Sequence, residues 1–316
     1  MPAALELAVL PLYSALPSDM QAKVFEPTSE GCRKVVVATN VAETSLTVDG
    51  VVYVVDSGVV KEKTYNARTG VESLNVSSIS QTQADQRSGR AGRTAPGKAY
   101  RIYSKAVYNE MRPSQVPEII RNELTSTILQ LKALGVHEIM KFDFMDAPDR
   151  EALRRGIKSL QLLQAVNKEE ILTELGRQMT QYPVEPSLAR MLIKSLELGC
   201  SEEILTITAM LSAQHIFSRP KKKHQEADSK KRQFDVPGSD HLSLLKVYNM
   251  WVDNGMTRQW CYENFVQHRR LQQARSVRDQ LRSALTRYTK HDCRIDIFRK
   301  SSSECTTRTQ CGYTRI

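Results

Sequence analysis

The fold class this sequence predicts is an α/β lobe with an incomplete parallel sheet, followed by a mainly α-helical region. Three observations carry it. Short apolar, β-branched runs at 34–39 (KVVVAT) and 51–55 (VVYVV) each end in polar residues, the pattern of strands buried on both faces of a parallel sheet. From Pro117 the apolar spacing becomes helical and stays so to about residue 290. Between the two regions stands a charged octamer, QRSGRAGR at 86–93, too polar to be core.

Taken in order, the first run ends in TNVAETSLTVDG at 39–50. In open α/β sheets ligands bind at that carboxyl edge. Thr39 and Asn40 sit there, with donors suited to phosphate; capping of the loop backbone is the other reading of Thr39. After the Asp49-Gly50 turn comes the second run, closed by Asp56-Ser57-Gly58. Residues 61–66 and 71–76, separated by ARTG, read as a β-hairpin. In the octamer, Arg90 and Arg93 lie three residues apart, each directly after a glycine, so both guanidinium groups can leave one face of a short turn. Arginine is planar, always charged and donates in pairs, which suits phosphoryl oxygens. Gly89 lets a ligand approach without a Cβ in the way. A solvated basic loop is the alternative.

Downstream, Ile120, Leu124, Ile128, Leu131 and Leu134 are expected on one face of one helix, with Gly135 as its C-cap. Leu153, Ile157, Leu160 and Leu163 mark a second helix after Asp149 as N-cap. A short element follows at 173–179, stopped by Pro183, and Ser201 with Glu202 and Glu203 opens another helix. Residues 219–232 carry seven basic and two acidic residues and read as a loop: an RNA contact, a nuclear import signal or a solvated linker.

The 316 residues suffice for two or three domains with their own cores. A net charge of +10 points to a polyanionic partner. With 6% aromatic residues, phosphate contacts are expected to outweigh base stacking. No apolar stretch reaches a membrane span, and the N-terminus does not read as a signal peptide. The six cysteines, at 32, 200, 261, 293, 305 and 311, form no C-x-x-C pair and suit a reducing compartment. No metal site is expected; the C-terminal cysteines with His291 have the wrong spacing for a zinc fold.

TNVAETSLTVDG, YVVDSG and QRSGRAGR together resemble motifs V, Va and VI of the DEAH-box RNA helicases. The resemblance runs from about residue 5 to 290 and is nearest to the pre-mRNA-splicing members, through phrases such as LPLYSALP at 10–17, FDFMDAP at 142–148 and WCYENF at 260–265. It implies a second RecA-like lobe at 1–111 lacking its first strand, a winged-helix-like domain at 112–185, a ratchet-like domain at 186–290 and a divergent, disordered tail at 291–316. It implies arginine fingers at Arg90 and Arg93, with Gln86 orienting the attacking water or touching the terminal phosphate. Gly89 would lie against the nucleotide, Asp49 would meet the ribose or couple the lobes, and Phe25 would stack on adenine. From the residues alone, Phe25 reads equally as core and Asp49 as the start of a turn. Ser14, Thr39, Asn40 and Lys61 would track the RNA backbone, without sequence preference. The hairpin would be a wedge near the strand junction; a surface hairpin without function is the alternative.

The resemblance further implies ATP and Mg2+ as cofactors of the full-length enzyme, single-stranded RNA, spliceosomal components and a G-patch protein as partners, and a nuclear location. The sequence has no G-x-x-x-x-G-K-[ST] and no Asp-Glu-Ala-His. The first motor lobe is therefore expected to lie outside it, and this chain alone is expected to hold no cofactor and to hydrolyse no ATP. A non-catalytic RNA-binding or G-patch-docking module is the alternative reading.

Overall fold

The protein is described here from a computed structural model, which covers residues 6–14, 16, 18–44, 46–66, 69, 71–93, 95–213, 215–220 and 223–291. The chain divides into two compact units, Met1–Glu123 with Asp143–Ala152, and Leu124–Phe142 with Leu153–Ile316.

The first unit holds β1 (Glu6–Leu12), α1 (Ser18–Phe25), β2 (Cys32–Ala38), α2 (Val41–Thr44), β3 (Tyr53–Asp56), β4 (Val59–Asn66), β5 (Val71–Ser78), α3 (Gln81–Ser88), β6 (Lys98–Arg101), α4 (Lys105–Glu110) and α5 (Glu118–Arg121). β1 and β2 pair in parallel from Glu6↔Cys32 to Leu12↔Ala38, and β3 and β6 from Tyr53↔Lys98 to Asp56↔Arg101. β4 and β5 form the expected antiparallel hairpin, with Lys61 opposite Val76; Arg68 and Gly70 of its turn lie outside the described residues.

The parallel strands depart from expectation in burial. Val37 is 61% exposed and Val55 69%. Helix α1 packs on β1 and α3 on β3 and β6, so each strand pair is backed on one face. The opposite faces, with Leu7, Val9 and Val37 on one pair and Tyr53, Val55 and Ile102 on the other, are exposed. The all-apolar runs belong to a sheet that needs cover on both sides, and the described elements supply one.

The second unit carries α6 (Thr125–Ala133), a 3-10 turn at Ile139–Lys141, most of α7 (Arg150–Leu162), α8 (Glu174–Met179), α9 (Pro186–Leu198), α10 (Ser201–Ala213), α11 (His224–Arg232), α12 (Asp240–Asp253), α13 (Arg258–Glu263) and α14 (His268–His291). The single helix expected over 120–134 is two, because the chain breaks at Asn122 and changes unit between Glu123 and Leu124. Leu134 falls past the end of α6 and is exposed. Gly135 does terminate it, at φ +94°, with Val136 N–H donating to Leu131 O at 3.0 Å.

Asp149 accepts from Glu151 N–H at the start of α7, which buries Leu153, Ile157 and Leu160. Thr173 caps α8. Helix α10 is the hub of the unit, packed on α9, α12 and α14. Glu202 in its first turn faces more than a helix dipole: Arg278 and Arg282 of α14 both donate to it, Arg282 at 2.5 Å.

The basic segment 219–232 is a helix rather than a loop from His224 on. Several of its charges are engaged locally, Lys223 with Glu226 at 3.3 Å among them. Arg219 donates twice to Asp228, at 2.9 and 2.6 Å, and Lys231 stands 5.2 Å from the Phe217 ring. Lys221, Lys222 and the expected disordered tail beyond His291, with its three cysteines, lie outside the described residues.

Candidate functional site

The parallel pairing brings the carboxyl ends of β1 and β2 side by side, and Thr39 N–H donates to Leu12 O at 3.0 Å. Ser14, Thr39 and Asn40 therefore share one edge of the sheet, all exposed. The chain turns there into α2, where Ala42 and Glu43 N–H groups donate to the carbonyls of Thr39 and Asn40. This short helix directs the Glu43 side chain inward, 7% exposed, and leads into the loop of Leu46 and Thr47. Asp49 follows, exposed, in a turn that Gly50 completes at φ +74°.

Helix α3 enters through a reciprocal cap: Ser80 Oγ accepts from Gln83 N–H at 3.1 Å, and Gln83 Oε1 accepts from Ser80 N–H at 3.0 Å. Its outer side is fixed by Asp85, which accepts from Arg101 at 2.7 Å and from Tyr108. The helix ends at Ser88, and Gly89 caps it at φ −62°, an ordinary helical value. Gly89 contributes its missing side chain, not an unusual backbone.

Past this cap the two arginines reach the same loop. Arg90 donates to the carbonyls of Glu43 and Leu46, and Arg93 to the Thr47 hydroxyl. Burial and the nearby Arg93 charge lower the Arg90 pKa from its ordinary value, with Glu43 opposing them, and the acceptors that the two neighbouring cations reach are neutral oxygens. Such a pair is stabilised by an anion. Gln86 is exposed on α3, one turn before Arg90.

Phe25 stands elsewhere. It is the last residue of α1 and 48% exposed, which removes the core reading. Lys34, near the start of β2, donates to the carbonyls of Val24 and Glu26 on either side of it. The structure thus groups Ser14, Thr39 and Asn40 at one edge and Arg90 and Arg93 on the loop that follows, with Phe25 toward the other end of β2. Lys61 is exposed at the base of the hairpin. Among the described residues no group of three or more His, Cys, Asp or Glu is arranged to hold a metal ion.

Sequence reasoning missed the residue that organises this region, Arg87. Its Nε donates to Glu43 Oε2 at 3.0 Å and its Nη1 to Asp56 Oδ1 at 2.7 Å. Both Nη atoms also reach Val59 O, at 3.2 and 3.3 Å. Asp56, 4% exposed, accepts in addition from Gly58 N–H and from the Tyr103 hydroxyl at 2.9 Å. Burial and that bond push the Tyr103 pKa up to about 12, so it remains a donor at neutral pH. Burial alone would lower the Arg87 pKa, but Asp56 and Glu43 outweigh it and raise it. The available signal was two carboxylates, Asp56 closing one strand-like run and Glu43 a few residues after the other, and one arginine of the octamer left without a role.

Gly97 holds the arginine turn against β3. A Cβ there would lie 2.0 Å from Ala91 O and 2.5 Å from Val52 O, both backbone atoms. No rotamer change relieves such an overlap, so Gly97→Ala is expected to cost about 2–3 kcal/mol. Thermal unfolding of the variant would show this as a lowered midpoint of the transition of the first unit, and an unchanged midpoint would contradict the packing.

Residues 3–95 match the helicase conserved C-terminal domain, 156–184 the winged-helix part of the helicase associated domain HA2, and 185–244 its ratchet-like part. The chain is 53% identical over 284 residues to the pre-mRNA-splicing factor ATP-dependent RNA helicase prp22 of Schizosaccharomyces pombe, an alignment covering 90% of this chain and 24% of that protein. The chain thus spans about a quarter of the length of this relative.

Proposed function

We propose, from the premise that this chain belongs with the DEAH-box RNA helicases and corresponds to a C-terminal portion of their splicing members, that it supplies the arginine side of an ATP site and one wall of an RNA track. The observation that carries this reading is the convergence of Arg90 and Arg93 on Glu43, Leu46 and Thr47, shortly after Thr39 and Asn40. Phosphoryl transfer is mostly positioning and charge neutralisation, so a nucleotide held by a P-loop elsewhere in the full-length protein gains most from cations on its far side.

Arg90 and Arg93 are the residues to neutralise the terminal phosphates, leaving their carbonyl and hydroxyl acceptors to do so. Gln86, one helical turn earlier, orients the attacking water, and Gly89 leaves room for the phosphate. Phe25, exposed at the end of α1, stacks on the base, and Asp49 meets the ribose or helps couple the lobes. Magnesium belongs to the P-loop side; no residue of this chain is assigned to it. Ser14, Thr39, Asn40 and Lys61 hold the RNA backbone, so closure on ATP and reopening after hydrolysis would step the strand without regard to sequence. The setting is pre-mRNA splicing in the nucleus, with spliceosomal components and a G-patch protein as partners.

Binding of single-stranded RNA to the 316-residue chain, titrated with salt, tests the track. Affinity should fall with salt and be similar for unrelated sequences. Lys61→Ala should reduce the slope of log K against log salt by about 0.7, the contribution of one phosphate contact on a single strand. Thr39→Val should weaken binding with the slope unchanged. ATP hydrolysis by this chain should stay at background. Loss of RNA binding altogether, or hydrolysis above background, would refute the assignment.

A further inference from the structure

We propose that Arg87 is the positioning residue that couples the RNA-facing hairpin to the arginines of the ATP site, a regulatory role that rests on the reading above. Its guanidinium connects three segments: α2 through Glu43, the end of β3 through Asp56, and the first residue of the hairpin through Val59 O. Tyr103, which follows β6, joins through the second oxygen of Asp56.

Glu43 is the hinge of the arrangement. Its side chain accepts from Arg87, while its backbone carbonyl accepts from Arg90. Movement of the hairpin base therefore reaches Arg90 by one path of direct bonds: Val59 O, the Arg87 guanidinium, the Glu43 carboxylate, the Glu43 carbonyl and the Arg90 guanidinium. The ion pairs are well shielded, with the Arg87 side chain 15% exposed and those of Glu43 and Asp56 7% and 3%. A rigid planar fork in such surroundings transmits displacement where a solvated lysine would absorb it. Lys61, two residues beyond Val59, is the RNA contact on the hairpin strand, and Thr39 and Asn40 lie immediately before α2, which carries Glu43. RNA bound at either place bears on the same guanidinium.

The test uses Arg87→Met and Arg87→Lys at two levels. In the full-length protein, the ratio of RNA-stimulated to basal ATP hydrolysis should fall about tenfold in Arg87→Met, with the basal rate within about threefold of the parent. Arg87→Lys keeps the charge but reaches one carboxylate at a time, and should recover part of the ratio. A fall of both rates in equal proportion, or an unchanged ratio, overturns the proposal. In the 316-residue chain, hydrogen exchange should show segments 39–47 and 58–66 losing protection together in both variants, while the core of the helical unit keeps its own. Loss confined to α3 overturns the coupling. Absence of RNA-stimulated hydrolysis in the parent would instead defeat the helicase reading, and the exchange measurement would still decide whether Arg87 links the two segments.

Discussion

Arg90→Ala in the full-length protein is expected to lower the rate of RNA-stimulated ATP hydrolysis on the order of a thousandfold, the scale on which arginine fingers act. That is about 4 kcal/mol of transition-state stabilisation. Folding should be little affected, because among the described residues the Arg90 side chain bonds to the carbonyls of Glu43 and Leu46, and these can turn to water. Arg90→Lys should fail to restore the rate, since a point charge does not span two phosphoryl oxygens. The steady-state turnover number with saturating RNA, measured beside thermal unfolding, checks both statements. Turnover within a fewfold of the parent would remove Arg90 from the chemistry.

In the helical unit the largest effect is expected at Trp251. It is 1% exposed, and its ring meets Tyr248 and His268 edge to face at 5.7 and 6.0 Å. It anchors a cluster that includes Met210, Phe234, Trp260, Val266 and Leu271. Truncation to alanine should cost about 3–5 kcal/mol. The indole N–H has no hydrogen-bond partner among the described residues, so Trp251→Phe loses volume but no bond and relieves a buried donor. It should cost far less. Denaturant unfolding of the two variants gives the comparison, and equal losses would mean that the indole nitrogen is satisfied.

Elements whose signal is local were legible in the sequence. The hairpin, the N-cap at Asp149 and the stop at Gly135 were all readable from a few neighbouring residues. The octamer pointed to paired arginines, and these do reach one loop. What failed depended on distant partners. Residues 120–134 carry a continuous helical period, yet the chain breaks at Asn122 where it passes between units. The apolar strands read as buried twice over, because composition records the sheet that a run suits and not the cover that the described elements supply. The basic stretch at 224–232 read as a loop, since charge outweighed the helical period set by Ala227, which is buried. Arg87 escaped notice because its partners Glu43 and Asp56 lie 44 and 31 residues away, and nothing in an isolated sequence pairs an arginine with one carboxylate over another.

The paired arginines and the RNA-facing edge are proposed to serve one RNA-driven ATPase. The rate of ATP hydrolysis by the full-length protein, measured with and without single-stranded RNA of unrelated sequences, tests it most directly. Little hydrolysis is expected without RNA and a severalfold rise with any of the strands. A rate indifferent to RNA, or one that rises with a single sequence only, would contradict it.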